Sequence, residues 1–116
     1  MGATDYTIRY PFGEADSQVL TPDTTVEVTI VQDATLVTFD AALAADMTLN
    51  LAAFDTELPV GSQLTVKALS DGTARDITLG TGFEGTVVAG VISKTIMSIF
   101  QFDGTSYVLV SSIQTD

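Results

Sequence analysis

The stretch Ile99 to Val110, IFQFDGTSYVLV, constrains this chain more than any other. Asp-Gly between two apolar runs is a strong hairpin signal, because glycine adopts the positive φ that a right-twisted hairpin turn needs. A half-buried strand alternates apolar and polar residues. Here Ile99, Phe100 and Phe102 precede the turn and Tyr107, Val108, Leu109 and Val110 follow it, so both faces are apolar. A tight turn at Asp103-Gly104 would pair Phe102 with Thr105, Phe100 with Tyr107 and Ile99 with Val108. One face then carries Ile96, Phe100, Phe102, Tyr107 and Leu109, and the other carries Met97, Ile99, Val108 and Val110. A sandwich offers each strand only one inner face. The second face therefore calls for a cover, either an arm of the same chain or a neighbouring subunit. Met97, Ile99, Val108 and Val110 form the candidate subunit interface, and the sequence predicts an obligate homo-oligomer.

Size and composition support this expectation. A chain of 116 residues is one domain by length, and a domain of that size has a thin core. Yet 46% of its residues are hydrophobic. No window approaches the roughly 18–20 uninterrupted apolar residues of a membrane span. Surplus apolar surface then points to self-association.

Charge excludes some partners. Four Lys and Arg stand against 15 Asp and Glu, a formal net charge of −11. Arg9, Lys67, Arg75 and Lys94 are scattered, so the clustered cations that bind nucleic acid phosphates are missing. The acids fall mostly at expected turns and strand ends, where they keep an apolar assembly soluble. The chain has no Cys and no His. Thiol chemistry is excluded, as are the commonest general base and the commonest metal ligand. The start MGATDYTIRY has neither the basic nor the apolar region of a signal peptide, and Tyr6 stands where a myristoylation motif wants Ser or Thr.

Period-two alternation runs through most of the chain. Val26, Val28 and Ile30 oppose Glu27 and Thr29; Val37 aligns with Phe39; Leu64, Val66 and Ala68 oppose Thr65 and Lys67. The segment Ala41 to Phe54 is ambiguous. Leu43, Met47, Leu51 and Phe54 have helical spacing, whereas Met47, Leu49 and Leu51 have strand spacing; we read a turn to Asp46 and a strand from Met47 to Leu51. Asp71-Gly72 turns the chain so that Ile77 and Leu79 return. The Gly-rich stretch after it holds a short strand near Val87, and a long hairpin closes the chain. Together these predict an all-β domain over residues 25–116, an antiparallel β-sandwich or jelly roll of about eight strands. Residues 1–24 differ. Tyr6, Ile8, Tyr10 and Phe12 alternate, but Pro11 and Gly13 limit sheet pairing. This segment reads either as a first strand followed by a polar, turn-like loop or as an assembly arm that docks its aromatic side chains on a neighbour.

No constellation points to catalysis. Asp71 to Asp76 lacks the alternating ligands and closing Glu of an EF-hand loop. Gly80, Gly82 and Gly85 have the wrong spacing for a phosphate loop, and no Lys follows. Nothing marks a carboxylate pair for glycoside hydrolysis, and no Trp offers a sugar platform. The expectation is a non-enzymatic chain with no cofactor and no tightly bound metal.

The stretch Gly61 to Ser112 resembles a module of bacteriophage virion proteins found in head-decoration, head-fibre and tail-fibre proteins. The resemblance lies in DGTARDITLGTGF, VAGVISKT and the closing FDGTSYVLVSS, and covers a little under half of the chain. It implies a β-rich, non-enzymatic, multimeric protein, often a homotrimer. It further implies a capsid decoration or head-fibre subunit made in the host cytoplasm and carried on the virion surface. Its expected partners are its own copies and the major capsid protein. The alternative implied is a tail-fibre or receptor-binding module for a host surface glycan.

Overall fold

The computed structural model describes residues 15–53 and 58–115. Among them the fold is all β, with nine strands in two sheets. The strands are β1 (Ala15–Leu20), β2 (Thr25–Thr29), β3 (Ala34–Phe39), β4 (Met47–Ala53), β5 (Gln63–Leu69), β6 (Ile77–Leu79), β7 (Phe83–Glu84), β8 (Thr95–Phe102) and β9 (Tyr107–Gln114). The larger sheet has the order β1-β3-β5-β8-β9-β7 and the smaller β2-β4-β6.

The expected purely antiparallel sandwich is not what forms. Strands β1, β3 and β5 stack in parallel, and so do β2, β4 and β6. The chain winds: each pass lays one strand in the large sheet and the next in the small one. Parallel neighbours need a long crossover, and here each crossover is itself a strand of the opposite sheet. A parallel bridge from Leu43 to Ser70 extends the stacking between strands. Only the closing strands are antiparallel, β8 pairing with β5 and β9 with β8. Turns read from sequence as hairpins therefore hand the chain to the other sheet. Asp71 is one such place: its carboxylate accepts the Thr73 N–H at 3.0 Å and grips Arg75 through Nε and Nη2 at 2.9 and 3.1 Å. The turn then leads to β6, away from β5.

Alternation supplies the core. Val26, Leu49 and Leu79 are in register across the small sheet, as are Val37 and Val66 in the large one. Val26, Leu49, Val37 and Val66 are buried with Val28, Leu64, Phe100 and Tyr107 in one cluster, and the partly buried Leu79 packs against it. The segment Ala41 to Phe54 resolves toward the strand, with Met47, Leu49 and Leu51 inside. Two local expectations change. The strand placed near Val87 is β7 at Phe83–Glu84, and Val88 makes only an isolated bridge to Ile77. The polar run after Glu14, read as turn-like, contains β1. Its polarity suits a sheet edge, where Gln18 donates to Asp16 at 2.8 Å and to the Thr29 carbonyl at 2.7 Å. Tyr6, Ile8, Tyr10 and Phe12 lie outside the described residues.

The closing hairpin keeps its expected faces but not its register. Phe102 pairs with Tyr107 and Phe100 with Leu109. The turn runs from Asp103 to Ser106 because the Asp103 carboxylate accepts the N–H groups of Thr105 and Ser106, both at 2.9 Å. Gly104 supplies the positive φ of 104°. From the turn to Phe100 the shift is two residues, which leaves each side chain on its own face, and a bulge then makes it three at Ile99. Phe83 from β7 meets Phe100 edge-on at 5.2 Å, and Phe102 lies 5.2 Å from Tyr107. This aromatic cluster fills the inner face.

The Tyr107 hydroxyl is buried without a hydrogen-bond partner. Burial, and secondarily the charge of Asp33, push its pKa up to about 12. Tyr107→Phe should leave stability unchanged or raise it by up to about 1 kcal/mol at neutral pH, since the lost hydroxyl has no bond to lose. A tyrosine whose folded pKa exceeds the unfolded value near 10 gives stability intact below pH 10 and lost as pH rises toward 12. Denaturant melts of both proteins at neutral and alkaline pH would check this: the fall above pH 10 should be smaller in Tyr107→Phe.

Candidate interaction surface

The outward face of the large sheet is the candidate site. Along β8 Met97 and Ile99 point outward and half-buried, between the buried Ile96, Ser98 and Phe100. On β9 Val108 is half-buried and Val110 is 61% exposed. The four predicted residues thus share one face of one hairpin. They are not paired as expected: Ile99 lies opposite Ser111 and Val108 opposite Gln101. A register shift between Ile99 and Phe100 leaves Val110 as the extra residue of a bulge. Sequence reasoning missed two members. Ile113, 49% exposed, lies opposite Met97, and Val60, 73% exposed, sits above the hairpin turn. Strict alternation from Val108 and Val110 runs on to Ser112 and Gln114, so Ile113 joins this face only through the bulge at Val110. Nothing local marked Val60, which is positioned by the Gly61 N–H donating to the Phe102 carbonyl at 2.7 Å.

At this end of the hairpin the surface dips into a groove of about 400 Å³, lined by Val60, Gln101, Phe102, Asp103, Val108 and Val110. Backbone N–H groups of Ser106 and Thr105 hold the Asp103 carboxyl below its ordinary pKa, so it is firmly anionic.

Charge sets this face apart. The strands β3, β5, β8 and β9 are contiguous in the large sheet, and none contains Asp or Glu. Its edge strands do: Asp16 in β1 and Glu84 in β7. Edge carboxylates oppose strand-to-strand pairing with another chain, while the centre of the face is open to contact without like charges meeting. The small sheet shows the contrast. Its outward side carries Glu27 and a row of Thr25, Thr48 and Thr78 in register across three strands, a surface suited to water. Among the described residues no group of three or more His, Cys, Asp or Glu could hold a metal ion. No helix among them is long and apolar enough to cross a membrane.

No protein-family model matches the chain, and no curated protein matches it.

Each copy carries a net charge of −11, so copies that meet on this face repel at long range and attract at contact. Raising ionic strength from about 0.01 to about 0.15 M shortens the screening length from about 30 to about 8 Å. Association should therefore tighten with salt. Sedimentation equilibrium across that range would check it; association driven mainly by ion pairs would weaken instead.

Proposed function

We propose that this chain is a non-enzymatic structural protein of a bacteriophage virion, a capsid decoration or head-fibre subunit. It works by binding: copies associate with one another and dock on the major capsid protein at the head surface. The observation that carries the reading is the outward face of the β8–β9 hairpin, where Met97, Ile99, Val108, Val110 and Ile113 stand with no carboxylate in either strand, in a chain of net charge −11. A protein that had only to stay dissolved would place some of its 15 acids there. The likeness of Gly61 to Ser112 to phage head and fibre modules supplies the setting. The test is quantitative mass spectrometry of purified particles after separation of heads from tails. The reading expects many copies per particle, all with the head. A few copies confined to the tail fraction would overturn it in favour of a receptor-binding module.

A further inference from the structure

The strand β8 joins two apolar features that differ in shape. Just before it, the Lys94 N–H donates to the Val91 carbonyl at 3.0 Å, closing a turn with Ile92 and Ser93 at its centre. Ser93 has a φ of 56°, in a region where glycine or asparagine is favoured. The turn presents Val91 and Ile92 to solvent, 40% and 55% exposed. It is braced from the side: Ser93 donates to the Asp71 carbonyl at 2.9 Å, Ser70 to the Lys94 carbonyl at 3.1 Å, and Gly90 to the Asp76 carboxylate at 3.0 Å. A strained, braced turn with aliphatic side chains at its tip is a rigid apolar knob, and rigidity before contact lowers the entropy lost on binding. At the other end of β8 lies the groove between Val60, Val108 and Val110. Eight residues of strand separate the two by roughly 25 Å, so one copy cannot fill its own groove.

We infer that the Val91–Lys94 turn of one copy inserts Val91 and Ile92 into the Val60–Val110 groove of the next, joining copies head to tail. The inference rests on the self-association proposed above and names the contact that makes it. A closed cavity of about 150 Å³ already holds a benzene-sized group, so the open groove of about 400 Å³ has room for two aliphatic side chains. The charges agree. Lys94, exposed at the base of the knob, is one of only four cations in the chain, and Asp103 lines the groove. The acids beside the knob are engaged within their own copy, Asp71 with Arg75 and Asp76 with the Gly90 N–H. Contacts between two unlike patches close into rings or run on as filaments. The braced turn and the folded hairpin fix both patches, which favours a closed ring, and the smallest such ring beyond a simple pair holds three copies.

The chain has no cysteine, so single cysteines report the contact cleanly. Ile92→Cys and Val110→Cys both replace exposed side chains and should leave the fold intact. Mixed at equal concentration and oxidised, the two variants should give a disulfide-linked dimer holding one of each. Either variant oxidised alone should lose that product. The chain carrying both substitutions should close at a covalent trimer. If the unmodified protein is oligomeric but the mixture yields no mixed dimer, the knob-and-groove contact is wrong while self-association stands. Closure of the doubly substituted chain at a dimer would overturn the head-to-tail ring. An unmodified protein of one-chain mass would remove self-association itself.

Discussion

Phe100→Ala is expected to destabilise the folded chain by about 3–5 kcal/mol, the usual loss for a large aromatic removed from a core. Phe100 is fully buried on the inner face of β8, in edge contact with Phe83 and in register with Leu64 and Leu109. It links the antiparallel end of the large sheet to the parallel stack. Neighbours on three strands cannot all close over the cavity, because hydrogen bonds hold β8 between β5 and β9. A domain of this size has roughly 5–15 kcal/mol of stability in all. The variant should therefore melt at least about 12 °C lower. A shift of only a few degrees in calorimetry would mean that the inner face of the hairpin is not the centre of the core.

Val110→Asp is expected to do the opposite kind of damage: assembly lost, fold kept. The side chain is largely solvent-exposed in a single copy and sits at a bulge, so an aspartate there is hydrated when the copy is alone. On association it adds a second carboxylate beside Asp103, on strands that have none of their own, and like charges brought together in an interface cost several kcal/mol. The dissociation constant should rise at least about 100-fold, or about 2.7 kcal/mol. Thr78→Asp provides the control, since Thr78 is exposed on the outward side of the small sheet. It should leave both the melting temperature and the assembly state within error. Equal losses of assembly in the two variants would show that net charge, and not the particular face, governs association. Ile99→Asp should also dissociate the assembly, but Ile99 is half-buried, so part of its effect should appear as a lower melting temperature.

Much of this architecture was legible in the chain because a pleated strand alternates its faces. Val26 and Val28, Leu64 and Val66, and Met47, Leu49 and Leu51 announced their strands and their inward sides, and the structure buries all of them. The hairpin announced two apolar faces, and they are the faces observed. Strand partners were hidden. Whether β3 pairs with β2 or with β1 depends on contacts between residues such as Leu36 and Ser17, far apart in sequence. Alternation says which side of a strand is apolar, not which sheet will bury it. Asp71-Gly72 looked like a hairpin turn for the same reason. Only the position of β6 beside β4 shows that the turn changes sheets. The hairpin register was missed because the Asp103 side chain, by accepting two backbone N–H groups, stabilises a longer turn than Asp-Gly alone suggests. β1 was missed because its inward positions Asp16 and Gln18 are polar, as an edge allows.

The candidate surface was half legible. Met97, Ile99, Val108 and Val110 followed from alternation, but the groove did not, because Val60 reaches it from a different part of the chain. The absence of carboxylates from β3, β5, β8 and β9 is visible in the sequence, yet it has meaning only once those strands are known to be neighbours. The knob at Val91 and Ile92 likewise reads as part of an irregular Gly-rich loop until the bonds from Ser93 and Ser70 show it to be braced.

The proposed self-association requires this face to be covered by another copy. Light scattering on the unmodified protein at micromolar concentration and about 0.15 M salt, with the protein eluting from a sizing column, tests it directly. One chain weighs 12.2 kDa. The expected result is a stable multiple of that mass, about 37 kDa for the closed trimer, unchanged on dilution within the micromolar range. A stable mass of 12.2 kDa at every concentration would contradict it.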